Sequence, residues 1–136
     1  MQSKQLFVVT AATEALTGLA LVIAPVTVVR ILLGASLDMP GGWVVARVAG
    51  AALLAIGVAC WLARDDAHSR AGHGLAAAML LYNVATVAVL AHAGLGLGQT
   101  SVALWPVVGA HAALAVWCAA CLSIKRDSGY GESRIS

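Results

Sequence analysis

Residues 71–124 read AGHGLAAAMLLYNVATVAVLAHAGLGLGQTSVALWPVVGAHAALAVWCAACLSI, a run of 54 positions without Asp, Glu, Lys or Arg. One helical crossing of a bilayer takes about 20 apolar residues, so the run is too long for a single span. It is divided by GLGLGQTS at 94–101. Three glycines at alternate positions followed by three polar residues mark a turn at a membrane surface. The stretch therefore predicts two spanning helices, at 71–93 and 102–123.

Working outward, the charged segment RDDAHSR at 64–70 closes an apolar stretch over 43–63, which predicts another span. The first apolar segment, 6–33, is longer than one crossing needs and contains Pro25, which should kink it. Residues 124–136 form a short polar tail. The fold class expected is an all-α, four-helix up-down membrane bundle with both termini on one side and no separate soluble domain. Composition agrees: of 136 residues 61% are hydrophobic and 10% charged, whereas soluble domains carry about 25% charged residues. The net charge of +2 comes without a dense basic stripe, so nucleic acid is not an expected partner.

Lys4, Arg64, Arg70, Lys125, Arg126 and Arg134 fall on the side of the termini, and the opposite loops, 34–42 and 94–101, hold no Lys or Arg. By the positive-inside rule the termini and the 64–70 loop face the cytoplasm, placing the chain as a multi-pass protein of a bacterial inner membrane. Trp43 and Trp61 bracket the second span about 27 Å apart, and Trp105 and Trp117 lie toward opposite ends of the fourth. The first segment is expected to remain in the chain. Its apolar region exceeds that of a signal peptide and includes Glu14 and Arg30.

Apolar burial gives helices in lipid little drive to associate, so small residues and polar contacts must supply it. Ala51, Ala55 and Ala59 recur every fourth position beside Gly50 and Gly57, and Gly74/Ala78 and Gly109/Ala113 are further small pairs. These faces suit packing within the bundle, a second copy, or docking to a larger membrane complex.

Glu14 is the sole carboxylate inside a predicted span. It lies about 12 Å along the helix from Leu6, too deep for a short acidic chain to reach water. Thr10, Thr13, Thr17 and Gly18 share its face by helical spacing. Intramembrane acids face the bundle interior, so Glu14 is either an ion, proton or ligand anchor or a polar clip between helices. Asn83, with Tyr82 beside it, and His111 fall at comparable depth on the third and fourth spans. A cluster of Glu14, Tyr82, Asn83 and His111 requires only that those faces converge. Arg30 and Arg47 flank the first outer loop, where their heads suit an anion, a lipid headgroup or a clip to Asp38.

Cys60, Cys118 and Cys121 fall at one end of the second and fourth spans, and His68 and His73 lie in or just after the adjoining loop. Three thiols and imidazoles suit zinc, copper or thiol exchange; buried cysteine is as readily a small apolar packing residue. His92 and His111 are mismatched in depth for axial haem ligation, and no cofactor is expected. No phosphate loop, dinucleotide fingerprint, zinc-protease motif or nucleophile elbow is present, so no catalytic residues are assigned.

Glu14-Ala15-Leu16-Thr17-Gly18 with Pro25 and Leu33-Gly34, followed by Arg47-Val48-Ala49-Gly50 and Gly57, resembles the small four-span bacterial inner-membrane proteins of the DoxX-like and similar families. The resemblance covers about the first half of the chain. It implies a compact four-helix bundle and association with oxidoreductases or other membrane partners, and it transfers no catalytic site. The functional expectation is a non-catalytic accessory subunit or a small-molecule or ion-binding bundle in contact with membrane lipids, as a homo-oligomer or within a larger complex. The alternatives are a proton-coupled or ion transporter using Glu14, and a thiol or metal redox protein using the three cysteines.

Overall fold

The computed structural model describes the backbone over residues 2–132 and side chains over 3–123. Five helices follow in order: α1 (Gln2–Ile23), α2 (Pro25–Leu33), α3 (Pro40–Ala63), α4 (Arg70–Leu95) and α5 (Leu104–Glu132). No strand occurs among the described residues. Four helices are long and apolar enough to cross a membrane, over Ser3–Ile23, Pro40–Ala63, Arg70–Leu95 and Leu104–Ser123. The chain is an all-α, multi-pass membrane bundle.

Elementary chain chemistry sets the boundaries. The first apolar segment, expected as one helix over 6–33, is two, because Pro25 has no N–H to continue the ladder and instead occupies the first turn of α2. Pro40 likewise opens α3. Ser69 caps α4 by accepting from the Gly72 backbone N–H at 3.0 Å. Gly34 ends α2 in a left-handed conformation, φ +71°, with its N–H bonded to the Arg30 carbonyl at 2.9 Å. The glycine-rich turn begins later than expected. α4 continues through Leu95, and the chain turns back through Gln99, whose N–H reaches the Ala93 carbonyl at 3.0 Å. α5 runs on to Glu132, into the segment expected as a polar tail. The side chains of Lys125 and Arg126, and all of Arg134, lie outside the described residues.

The helices form two halves. α1 packs chiefly on α3 and α4 chiefly on α5, with far less contact between the pairs. Gly18 and Gly50 set the approach of α1 to α3: a Cβ on Gly18 would lie 2.6 Å from the Gly50 carbonyl oxygen. Gly57 meets α1 at Ala11 and Ala15. Bare glycine surfaces let the two backbones touch, which is how helices associate where water offers no drive. The Ala51/Ala55/Ala59 face, an expected packing surface, is exposed, as are Gly74, Ala78, Gly109 and Ala113. Gly50 and Gly57 carry the contact because their face, offset from the alanines, is the one turned to α1.

The halves join most fully near the α3–α4 connection. There Leu6, Phe7 and Ala11 of α1 pack with Cys60, Ala67, Ala76, Met79 and Cys118. Trp117 packs against this core, whereas Trp43, Trp61 and Trp105 are half exposed. On the surface of the same end Lys4 Nζ donates to Asp65 Oδ1 at 2.6 Å, and Arg64 lies 4.1 Å over the Trp61 ring. The Lys4 hydrogen bond, with the charges of Lys4 and Arg64, holds the exposed Asp65 carboxyl below its ordinary range. At the other end α2 is tied down by the Ser101 hydroxyl, which donates to the Ile31 carbonyl.

Candidate functional site within the membrane bundle

The middle of α1 turns one face inward. Thr10, Glu14 and Gly18 are buried while Thr13 and Thr17 are exposed. The polar stripe expected to share one face is thus divided, following the i, i+4, i+8 line instead of the i+3 line. Thr13 satisfies its hydroxyl on its own helix, bonding the Val9 carbonyl at 3.0 Å and the Thr10 carbonyl at 3.1 Å.

Glu14 is 3% exposed and meets the other half of the bundle. The Tyr82 hydroxyl donates to Glu14 Oε2 at 3.3 Å, joining α1 to α4. One residue on, fully buried Asn83 uses both ends of its amide. Nδ2 donates to the Met79 carbonyl at 2.7 Å, and Oδ1 lies 2.8 Å from His111 Nδ1 on α5. The Met79 carbonyl can only accept, which settles the amide orientation. Oδ1 can only accept as well, so His111 Nδ1 carries the hydrogen and donates it. The ring's other nitrogen, Nε2, is left as the position that can take or give a proton. The Tyr82 and His111 rings meet edge to face, centroids 5.7 Å apart at 78°. The structure therefore brings Glu14, Tyr82, Asn83 and His111 into one cluster at the seam between the halves.

Thr10, one turn from Glu14 on the same face, is 1% exposed, and its hydroxyl has no hydrogen-bond partner among the described atoms. Buried hydroxyls are almost always satisfied, which marks Thr10 as part of the site. Its position four residues before Glu14 was the available sequence signal, but spacing alone could not separate it from Thr13. Among the described residues no Lys or Arg pairs with Glu14; the ion pairs there are Lys4–Asp65 and Arg64–Asp65.

Of the two arginines flanking the 34–42 loop, Arg47 is engaged by the backbone of α1. Pro25 withdraws the donor that the Leu21 carbonyl would use, and Arg47 Nε donates at 3.2 Å to the neighbouring Val22 carbonyl. Arg47 thus closes the broken end of α1, where a cation also suits the helix dipole. Arg30 is exposed near the end of α2. Asp38 accepts from Ser36 Oγ at 2.5 Å and pairs with neither arginine.

The structure does not gather Cys60, Cys118, Cys121, His68 and His73 into one metal-holding group. Among the described residues no three His, Cys, Asp or Glu side chains form a group able to hold a metal ion. Cys60 and Cys118 are fully buried in the apolar core, Cys121 is half buried, and all three are free thiols. His73 is turned back on its own helix, Nδ1 2.7 Å from the Ser69 carbonyl. His68 is on the exposed α3–α4 connection. Cys60 and Cys118 are contributed by two helices to one apolar core, with Cys121 packed against it.

Comparison with known proteins yields no match: no family model, curated protein or solved structure is detectably similar to the chain.

Proposed function

We propose that the chain is a non-catalytic membrane protein that binds a small ion or molecule inside its bundle and passes it across the membrane, with Glu14 as the anchor. Tyr82, Asn83 and His111 form the hydrogen-bonding wall opposite it. The observation that carries this reading is the Tyr82–Glu14 bond across the seam, which places the membrane region's one carboxylate between two loosely joined halves. An acid at that depth is costly to maintain and marks an ion or ligand path in membrane bundles. Basic residues on the side of the termini support an inner-membrane location with termini and 64–70 loop in the cytoplasm.

The test uses the simplest species, the proton. Purified protein is reconstituted in vesicles, a pH gradient is imposed, and lumenal pH is followed with a trapped dye. The expected result is flux above empty vesicles that Glu14→Gln abolishes without loss of helicity or insertion. Flux equal to empty vesicles, or unchanged in Glu14→Gln, would overturn the reading.

A second reading, an accessory subunit of a larger membrane complex, is favoured by one separate observation. The small faces Ala51/Ala55/Ala59, Gly74/Ala78 and Gly109/Ala113 point outward, leaving surfaces on which other helices can pack closely. Enlarging Ala55 or Gly109 to leucine should then shrink the native particle in mild detergent while sparing Glu14-dependent flux.

A further inference from the structure

We propose that the Glu14 site takes a monovalent organic cation, specifically a protonated amine carrying an apolar body. The proposal rests on the Glu14 reading above and names the class of ligand. Charge is the first argument. A carboxylate in a low-dielectric interior needs one compensating positive charge, and no described basic side chain supplies it. A single acid balances a monovalent cation, whereas a divalent ion would leave a net charge in the membrane interior.

Hydrogen bonding is the second. An ammonium group is donor-only, and the site presents acceptors at two levels of one helix face: the Glu14 carboxylate and the unpartnered Thr10 hydroxyl. A quaternary or phosphonium cation would leave Thr10 unsatisfied; an N–H cation can serve both.

Shape is the third. A groove of about 240 Å³ on α4, lined by Tyr82, Ala85, Thr86, Val89 and Leu90, runs away from the site toward the end opposite the packed core. Its walls are apolar, apart from Tyr82, whose hydroxyl reaches Glu14, and Thr86, whose hydroxyl is turned back to the Tyr82 carbonyl at 2.9 Å. Tyr82 thus both lines the open groove and bonds the buried acid, and its 3.3 Å bond is long enough to be exchanged for a stronger charge-assisted one. The apolar body would occupy the groove, open to lipid, and the ammonium would replace the tyrosine hydroxyl on Glu14.

The experiment measures binding of 2-phenylethylammonium to the full chain in detergent micelles at neutral pH by equilibrium titration, with 2-phenylethanol as the uncharged counterpart. Saturable binding of the ammonium, at least about tenfold tighter than the alcohol, is expected. Thr10→Val should weaken it roughly three- to tenfold, and Glu14→Gln should remove saturable binding while eluting as a particle of native size. Equal affinity for ammonium and alcohol in the unaltered protein would overturn the proposal without recourse to any variant. So would undiminished ammonium binding in Glu14→Gln, which would remove the Glu14 reading as well. Proton flux dependent on Glu14 together with no saturable ammonium binding would leave that reading standing and refute this inference alone.

Discussion

The contact between Gly18 and Gly50 can be tested by adding a single methyl group. A Cβ on Gly18 would lie 2.6 Å from the Gly50 carbonyl oxygen and 2.7 Å from the Leu54 backbone nitrogen, and one on Gly50 would lie 2.7 Å from the Gly18 carbonyl. Both obstacles are backbone, so no side chain can rotate away. Gly18→Ala must part α1 from α3 by about half an ångström or more, a strain of the kind that costs about 1–3 kcal/mol. Alanine also favours helix over glycine by about 1 kcal/mol, a gain common to any glycine in a helix. Gly109→Ala isolates that gain, because a Cβ there meets nothing within 4 Å. Reversible unfolding in mixed micelles, followed by circular dichroism against the fraction of denaturing detergent, should therefore place Gly18→Ala about 1–3 kcal/mol below Gly109→Ala. The double change Gly18→Ala/Gly50→Ala should cost less than the two singly, since the first has already separated the helices. If Gly18→Ala is as stable as Gly109→Ala, the two helices do not meet at this point and the packing argument fails.

Gly34→Ala should destabilise by about 1–2 kcal/mol in the same assay, because Gly34 has φ +71° and a Cβ there would lie 2.7 Å from the Thr100 carbonyl oxygen. Asn83→Ala leaves the part-buried His111 Nδ1 without its acceptor, while the Met79 carbonyl keeps its helical bond, and should cost about 1–3 kcal/mol; an unchanged His111 ring N–H signal by NMR would contradict that pairing. Native protein exposed to a maleimide should label at Cys121 and spare Cys60 and Cys118, which are 0% exposed; mass spectrometry of the intact chain would expose an error as a second or third adduct. Asp65 should titrate below its ordinary value near 3.8. Its folded value is the depressed one, so the Lys4–Asp65 contact is present at neutral pH and is lost as pH falls through that lower value. A carboxyl titration by NMR should show the midpoint rising in high salt or in Lys4→Gln.

The number of spans was legible in the amino-acid sequence because it depends on one-dimensional quantities: the length of uncharged runs, and where Gly94, Gly96, Gly98 and the 64–70 charges interrupt them. The bilayer imposes its thickness on every such run. Glu14, Asn83 and His111 were legible as candidates for the same reason, since polar residues are conspicuous in apolar helices. Their partnerships were not. That Tyr82 bonds Glu14 while Asn83 bonds His111 depends on how far α4 is rotated about its axis, and adjacent residues point about 100° apart on a helix. The small-residue faces show the same limit. Ala51, Ala55 and Ala59 have the periodicity of a packing seam, yet they are exposed while Gly50 and Gly57 touch α1. In a chain this rich in alanine several faces meet the spacing rule equally. Sequence therefore determined how often this protein crosses the membrane and which side chains are chemically out of place there. Tertiary structure decided which of them meet, because helix rotation and the choice of contacting face are set by the closest backbone approach, and a residue pattern on one helix carries no information about the helix opposite.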